Sequence, residues 1–423
     1  MKRVSEKVKD IVEVCPFTHL HDFGADPGVT LAGYHFTDIT ADLMANWIDR
    51  VAAVKTGQGA ALALAGFRGV GKSHFIAVLA AIISRPELRS RISDQHVASA
   101  ADRLSRRHGP VAFVRRGSGT SLLDEVKRAI SLILDVNPAM LSDSLYDLLL
   151  RASEQAGEVP LALLIDTALE RYTRVARDDG AVLSEIAEAA KTLGIFVGVA
   201  LDDDISGADG PNSSISGNFS IDYLDQEHLY KIVDSHIFSK HSRMLPVLHE
   251  IYEYYREVLQ GFRWSEQRFT ALYPLHPATL EIAPLIRLYI QDFAMLKFAA
   301  EAGVKIMGRP ANSLIGLDEV FDSVENKLRA VPDLTDTFSA FDKLEREVVS
   351  KTPVQFRLPA KLILKGLVML SLNGQGASAS EIAASMMIFG ENATGSPALD
   401  VDALLDAFSA ALPQSVEIGR AHV

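Results

Sequence analysis

Short apolar runs alternate with longer amphipathic stretches along the first half of the chain. The runs lie at residues 60–65, 111–114, 159–166 and 195–201. Continuous apolar runs of this length are typical of strands that are buried on both faces. Between them, apolar residues recur every three or four positions, which predicts helices. Strands that alternate with helices predict an α/β fold with a parallel, doubly wound sheet and helices on both faces.

The second half of the chain has helical periodicity almost throughout. It predicts helices from about residue 226 to 350, and then two well-marked helices at 361–372 and 379–387. Together with a further helix at 401–411, these fit a winged-helix unit, although an ordinary pair of antiparallel helices has the same pattern. By contrast, residues 202–220 are rich in Gly, Pro, Ser and Asn, which predicts a surface loop or linker.

These patterns divide the chain into five predicted segments. They are an N-terminal loop and helix at 1–56, a core of strands and helices at 57–220, a helical extension at 221–350, a winged-helix or helical domain at 351–416, and a final segment at 417–423. The final segment, EIGRAHV, has no helical or strand periodicity, and in one frame the common sequencing-adapter string AGATCGGAAGAGCACACGTC, preceded by one G, can encode it. We therefore expect it to be an artefact, and we expect the natural protein to continue past Val416, so that the 351–416 domain is incomplete.

Composition narrows the class of protein and its compartment. With 423 residues the chain is too long for one ordinary core, and 48% hydrophobic with 23% charged residues is typical of a globular protein. A net charge of −12 gives no general attraction to nucleic acid or to an anionic membrane. The single cysteine, Cys15, excludes an internal disulfide. Because no apolar run approaches the ~18 residues of a spanning helix and the first residues lack a signal-peptide core, we predict a cytoplasmic protein without a membrane segment.

One glycine-rich segment follows directly on the first apolar run. Residues 66–73, GFRGVGKS, match the pattern G-x-x-x-x-G-K-[ST] at each fixed position. In this motif backbone N–H groups cradle phosphates, the lysine reaches the β- and γ-phosphates, and the hydroxyl binds Mg²⁺. A strand before the loop and a helix N-terminus after it supply the required context. The predicted nucleotide-binding residues are Gly66, Gly69, Val70, Gly71, Lys72, Ser73 and His74.

The apolar run at 159–166 ends in a carboxylate, Asp166. Since parallel strands end at one edge of a sheet, we expect Asp166 beside Ser73, where both would ligate Mg²⁺; capping of the next helix is the alternative role. The next residue, Thr167, cannot accept a proton usefully at neutral pH. Glu170 and Asp202 are weaker candidates for the general base, which leaves open slow hydrolysis or a nucleotide-operated switch without much turnover. The predicted catalytic residues are Lys72, Asp166 and Glu170.

Two other classes of phosphate-loop protein fit less well. A small GTPase would need an N-K-x-D guanine motif, and the segment at 326–329, NKLR, lacks its aspartate. A nucleotide kinase is usually one compact domain, whereas the helical part of this chain is longer than its core. ATP is therefore the expected nucleotide. Candidate cations for the γ-phosphate, each more often an ordinary surface residue, are Arg115, Arg116, Lys240, Arg243, Arg287 and Arg309.

A second motif lies in the helical half. The segment Phe269–Pro277, FTALYPLHP, resembles the Tyr-Pro-hydrophobic-His-Pro signature of the large P-loop ATPases of bacterial phage-defence islands, especially the BREX (bacteriophage exclusion) ATPases, relatives of the AAA+/origin-recognition and STAND ATPases. The loop at 66–79 and the run at 161–166 are also similar, so the resemblance covers roughly residues 35–320. Thr167 departs from it, because many ATPases of this broad class have a glutamate there. Since its two prolines restrict φ, we expect the segment itself to be a structural turn between helices.

The resemblance implies an AAA+/STAND-like ATPase, with ATP and Mg²⁺ as cofactors, that belongs to a multi-protein defence complex. It also implies a homo-oligomer and contact with DNA through the C-terminal region. Two alternatives remain open, namely a non-hydrolysing nucleotide-dependent sensor or scaffold and an initiator-like DNA-binding regulator. Replacing Thr167 by Glu is expected to speed turnover if only a base is missing, and a salt-dependent DNA affinity would favour the regulator.

Overall fold

The computed structural model describes residues 6–15, 26–66, 69–115, 121–167, 179–201, 217–259, 261–290, 293–389 and 397–413. Its strands, in chain order, are β1 (Val12–Val14), β2 (Ala60–Ala65), β3 (Val111–Arg115), β4 (Ala162–Asp166), β5 (Phe196–Ala200), β6 (Ser220–Tyr223) and β7 (Phe238–Lys240). Its α-helices are α1 (Val8–Ile11), α2 (Pro27–Ala32), α3 (Asp38–Ala53), α4 (Lys72–Ser84), α5 (Gln95–Ala101), α6 (Leu122–Leu134), α7 (Leu145–Ala156), α8 (Asp179–Leu193), α9 (Glu227–Ile232), α10 (Leu245–Val258), α11 (Glu266–Leu272), α12 (Pro277–Tyr289), α13 (Met295–Ile306), α14 (Leu317–Arg329), α15 (Thr335–Glu347), α16 (Val354–Leu370), α17 (Ala379–Ser385) and α18 (Pro397–Ala411).

The chain divides into two compact units. One, which we call the sheet unit, comprises Leu20–Leu229, and the other, the helical unit, comprises Met1–His19 with Tyr230–Val423. The predicted boundary after residue 220 falls inside β6, which belongs to the sheet unit.

The sheet unit is built on a five-stranded sheet in the order β3-β4-β5-β2-β6, in which every neighbouring pair is parallel. β4 and β5 are buried along their whole length, which accounts for their unbroken apolar sequences. The edge strands β3 and β6 instead keep exposed positions. This parallel sheet, with helices on both faces and a helical extension after it, confirms the predicted α/β fold class.

Helices cover both faces of this sheet. On one face, side chains of α6, α7 and α8 form a continuous apolar core with β4 and β5. On the other, Trp47 of α3 packs edge-on against Phe75 of α4 and Phe196 of β5. α4 is buried nearly all round, because it packs against α2 and α3 as well as against β3, β4 and β5.

The short strand β6 does not follow from the apolar pattern. Its four residues are mostly exposed, and residues 202–220 predict a loop. Residues 202–216 lie outside the described part of the chain, as do Glu170 and the predicted adapter segment 417–423. β6 pairs with β2 at the edge of the sheet, so its position depends on a long-range contact rather than on local periodicity.

The helical unit contains α1, α10 to α18 and one small antiparallel ribbon, in which Val12 of β1 pairs with Lys240 of β7. β7 lies within residues 226–350, where the sequence predicted helices almost throughout. The predicted helices at 361–372, 379–387 and 401–411 correspond to α16, α17 and α18. Among the described residues no strand follows β7, and 390–396 are not described, so a winged helix remains a prediction. Within the described residues, no helix combines the length and the apolar character needed to cross a bilayer.

Candidate nucleotide-binding site

The backbone of the glycine loop explains its glycines. Gly66, Gly69 and Gly71 have φ angles of +143°, +84° and +102°, which L-residues with side chains rarely adopt. At Gly66 there is also no room, because a Cβ would lie 2.1 Å from the carbonyl oxygen of Leu224. Val70, between the last two glycines, is buried. The loop therefore has the left-handed turns expected of a phosphate loop, although Phe67 and Arg68 are not among the described residues.

The loop leads directly into α4, whose first residue is Lys72 and whose N-cap is Gly71. Of the described residues, none in the first turn of α4 is acidic, and no side chain caps it. The N-terminal amides and the helix dipole therefore favour an anion at this end.

Lys72 is buried and folds back across the loop. Its Nζ donates a hydrogen bond of 2.5 Å to the carbonyl oxygen of Gly66, and only 6% of the residue is exposed. The first and the next-to-last positions of the motif are thus joined directly. A phosphate oxygen that enters the loop would compete with this carbonyl for the ammonium group.

Ser73 lies beside Asp166, as the sequence predicted. The Ser73 hydroxyl donates to Oδ1 of Asp166 at 3.1 Å, and Asp166, the last residue of β4, is only 4% exposed. Both side chains offer hard oxygen ligands, and Mg²⁺ is commonly held by one or two protein oxygens together with substrate phosphates and water. No group of three or more His, Cys, Asp or Glu side chains within the described ranges could hold a metal ion alone. The pair therefore fits an ion shared with a bound nucleotide.

Thr167 is directed into the sheet rather than toward the loop. Its Oγ1 and its backbone N–H both donate to the carbonyl oxygen of Ala200, at 2.6 and 3.2 Å, and the residue is 1% exposed. A glutamate here would bury a carboxylate against β5, which is unfavourable. A Thr167→Glu variant could therefore lose stability, and its rate of ATP hydrolysis would not show by itself whether a general base is missing. Glu170 and Asp202 lie outside the described residues, so the general base stays a prediction.

The His74 side chain contacts the segment that precedes α3. Its Nε2 lies 2.8 Å from the carbonyl oxygen of Thr30, and its ring packs edge-on against Tyr34 at 4.8 Å. Burial raises the pKa of the Tyr34 hydroxyl above its usual value, although a hydrogen bond with Thr40 opposes this shift. These contacts give His74 a packing role, while its predicted role as a nucleotide ligand is untested.

The sequence interpretation missed two residues beside the loop, Leu224 and His228. The N–H of Leu224 donates to the carbonyl oxygen of Ala65 at 2.8 Å. His228 is 3% exposed, and its Nε2 lies 3.8 Å from the place where a Cβ on Gly71 would stand. Neither residue belongs to a recognisable motif, and both reach the loop only because β6 pairs with β2.

Several of the candidate cations have other partners. Lys240 is buried in the helical unit, where its Nζ donates to Asp234 at 2.6 Å and to the carbonyl oxygen of Ala271, and burial lowers its pKa to about 8. Arg287 donates to the carbonyl oxygen of Phe293 at 2.6 Å. Arg309 pairs with Glu319 at 2.9 Å, and Arg116 is outside the described residues. Lys240, Arg287 and Arg309 therefore each have a partner within the protein. We assign none of the candidate cations to the γ-phosphate.

The segment Tyr273–Pro277 is a turn between α11 and α12, which confirms its predicted structural role. The Tyr273 hydroxyl donates to the carbonyl oxygen of Ala311 at 2.6 Å. Nδ1 of His276 accepts from the N–H of Ala278 at 3.2 Å and caps α12. His276 is fully buried, which lowers its pKa to about 3. Both polar side chains therefore bond to the main chain inside the helical unit.

No protein-family model matches the chain, and a comparison with curated proteins finds no match. Solved structures similar to it include Cdc6p from Pyrobaculum aerophilum, at 12% identity over 91% of this chain and 90% of that one, with a TM-score of 0.38. The ORC2 protein of Aeropyrum pernix in ADPNP–ADP complexes is 13% identical over 81% and 91%, with a TM-score of 0.35. AMPPCP-bound DnaA from Aquifex aeolicus is 11% identical over 93% and 95%, with a TM-score of 0.33. At these scores the fold assignment rests on the strand order and the loop.

Proposed function

We propose that this chain is an ATP- and Mg²⁺-binding module of the AAA+ type, in which the nucleotide state is coupled to assembly or to a change of conformation. The observation that carries the proposal is the hydrogen bond between Ser73 and Asp166 at the end of β4. It joins the glycine loop to a carboxylate from a strand two positions away in the sheet. A chance glycine turn would have no reason to face a buried carboxylate.

Each described group of the site has a separate role in this proposal. The loop amides and the N-terminus of α4 bind the phosphates, and Lys72 neutralises part of their charge. Ser73 and Asp166 would hold Mg²⁺, which, when bound, neutralises charge on the β- and γ-phosphates. ATP is preferred over GTP because the chain lacks the N-K-x-D guanine motif.

The second candidate function is a non-hydrolysing nucleotide-dependent sensor. It is favoured by the position of Thr167, whose side chain is buried and bonded to Ala200 and so cannot activate water. Measurable hydrolysis would then require another base, for which Glu170 is the proposed residue. Both functions use the same nucleotide site and differ only in turnover.

Membership of a cytoplasmic phage-defence complex and homo-oligomer formation are further parts of the proposal. They are supported by the similarity of Phe269–Pro277 to the signature of BREX ATPases.

DNA binding by the C-terminal helices has less support. α17 and α18 contain no Lys or Arg, and α18 carries several aspartates. On α16, Lys361 pairs with Glu345 at 2.8 Å and Lys365 with Asp322 at 2.5 Å. Since phosphate contacts supply most of the affinity for DNA, these helices are poorly suited to it.

ATP hydrolysis by the purified chain, measured with and without DNA, distinguishes the alternatives. An ATPase should show turnover that Glu170→Gln lowers by about 100-fold, as expected on loss of a general base. The sensor should bind ATP with no turnover above the Lys72→Ala background. DNA-stimulated turnover with salt-sensitive DNA affinity would favour the initiator-like regulator, and absence of ATP binding would contradict all three.

A further inference from the structure

The five residues 224–228, which follow β6, contact the glycine loop at both of its ends. At the first end, the Leu224 N–H extends the β6–β2 ladder by donating to Ala65 at 2.8 Å. The carbonyl oxygen of Leu224 then packs so closely on Gly66 that no Cβ would fit there, at 2.1 Å. We call residues 224–228 the loop clasp.

At the second end of the loop, the contact is made by His228. Its Nδ1 lies 2.8 Å from the carbonyl oxygen of Asp225, within the clasp. The same ring approaches the main chain of Val70, and its Nε2 lies beside Gly71. One imidazole therefore links the clasp to the part of the loop where α4 begins.

A phosphate loop needs such support from its surroundings. Three glycines with positive φ make the loop easy to deform and costly to order, so the nucleotide-free chain must hold its shape through neighbouring groups. Burying an imidazole is also unfavourable unless its nitrogens are hydrogen-bonded. Burial in fact lowers the pKa of His228, while its bonds to Asp225 and Val70 oppose that shift. The ring is thus placed where its hydrogen bonds fix the loop backbone.

From this geometry we infer that His228 is a positioning residue that holds the phosphate loop in its nucleotide-binding conformation. The inference rests on the proposed nucleotide function. It assigns part of the ATP affinity to a residue that touches neither the phosphates nor Mg²⁺. In this inference the His228 ring fixes the direction of the N–H groups of the loop. As a consequence, Lys72 and Ser73 keep their positions relative to Asp166.

Two conservative variants distinguish the contact of His228 with Val70 in the loop from its bond to Asp225 within the clasp. His228→Gln keeps an amide near the position of Nε2 and can still reach Val70. His228→Asn keeps one near Nδ1 and can reach only Asp225. His108→Ala is the matched control, because that histidine also lies 2.8 Å from a main-chain carbonyl, that of Ser84, but at the opposite end of α4.

The first measurement is hydrogen–deuterium exchange of peptides covering residues 66–75, without nucleotide. We expect exchange to be about 10-fold faster in His228→Ala and His228→Asn, and within about 3-fold of wild type in His228→Gln and His108→Ala. The second is the Kd for ATP, which should weaken by the same factors in the same variants.

A wild-type-like His228→Asn together with an impaired His228→Gln would overturn the inference, because the ring would then serve only Asp225. Unchanged exchange in every variant would overturn it as well. If His228→Ala fails to fold, the comparison of His228→Gln with His228→Asn still tests whether the ring supports the loop. If the wild-type chain binds no ATP, the proposed function fails while the exchange data still test His228.

Discussion

The glycine loop at 66–73 and the turn at 273–277 are both short motifs with buried polar side chains, and they differ in where those side chains are directed. In the turn, the Tyr273 hydroxyl and the His276 ring bond to main-chain groups of the helical unit. In the loop, Ser73 faces the carboxylate of Asp166, and the described first turn of α4 has no side-chain cap. A motif whose polar side chains all bond to main-chain groups stabilises the fold. One that brings a cation, a hydroxyl and a carboxylate to a helix N-terminus is arranged for a charged ligand.

The largest effect is expected from a methyl group at the first glycine of the loop. Gly66→Ala combines a φ of +143° with a contact of 2.1 Å to the Leu224 carbonyl oxygen, so it should destabilise the chain by about 3 kcal/mol or more. Gly157→Ala is the control, because its φ of +68° is strained while the space around it is open. It should cost less than Gly66→Ala, about 1–3 kcal/mol, because only the backbone strain remains. Chemical denaturation compares the two, and equal losses would mean that the clasp does not press on Gly66.

Removing the loop cation should abolish most binding without unfolding the chain. Lys72→Ala should weaken ATP binding by about 100-fold, or about 2.7 kcal/mol, since it removes charge-assisted hydrogen bonds to phosphate. Lys191→Ala, at an exposed position at the end of α8, should bind like wild type. Calorimetric titration measures both, and a Lys72→Ala variant of wild-type affinity would show that the loop does not bind phosphate.

Removing a polar group from the turn, in contrast to Lys72→Ala in the loop, should change the free energy of unfolding but not the affinity for ATP. Tyr273→Phe leaves the buried carbonyl of Ala311 without its hydroxyl partner, which should lower the free energy of unfolding by about 1–2 kcal/mol. ATP affinity of the folded protein should stay within about 2-fold of wild type. Tyr146→Phe, at a half-exposed position, is the control for stability. A Tyr273→Phe variant that keeps its stability but loses ATP affinity would remove the contrast between the two motifs.

The last effect, which is spread over several pH units, concerns the pH dependence of the turn. His276 has a pKa of about 3 in the folded chain, while an unfolded histidine titrates near 6.5. Below about pH 6.5 the unfolded state takes up a proton that the folded state does not, so stability falls as pH falls toward 3, by at most about 1.4 kcal/mol per pH unit. His276→Asn can retain the cap of α12 without titrating. Its denaturation curves between pH 7 and 4 should show a shallower loss, and parallel curves would contradict the burial of a neutral imidazole.

Apolar patterns were sufficient for the parts of the fold that are buried on all sides. β2, β4 and β5 were predicted because their sequences are continuously apolar, and α3 lies in the segment 1–56, which was predicted to hold a loop and a helix. β6 and the β1–β7 ribbon were missed because they are three or four residues long and depend on distant pairing. Pairing with a strand far along the chain cannot be predicted from the local sequence.

The residues of the candidate site also divide into those that local sequence predicts and those that depend on long-range pairing. Lys72 and Ser73 were predicted because the motif fixes their chemistry, and Asp166 because a strand end must lie at the sheet edge. His228 was not, since it reaches the loop through β6. The Thr167 side chain is directed into β5 rather than toward the loop by its bond to Ala200, a residue 33 positions away in the chain.

An equilibrium titration with ATP, in the presence and in the absence of Mg²⁺, examines the pairing of Ser73 with Asp166 on which the proposed function depends. Wild-type protein should bind ATP at least about 10-fold more tightly with Mg²⁺ than without it. Asp166→Asn, which keeps the shape but loses the charge, should show little of this gain while binding metal-free ATP as well as wild type. The same Mg²⁺ effect in both proteins, or no ATP binding by either, would contradict the assignment.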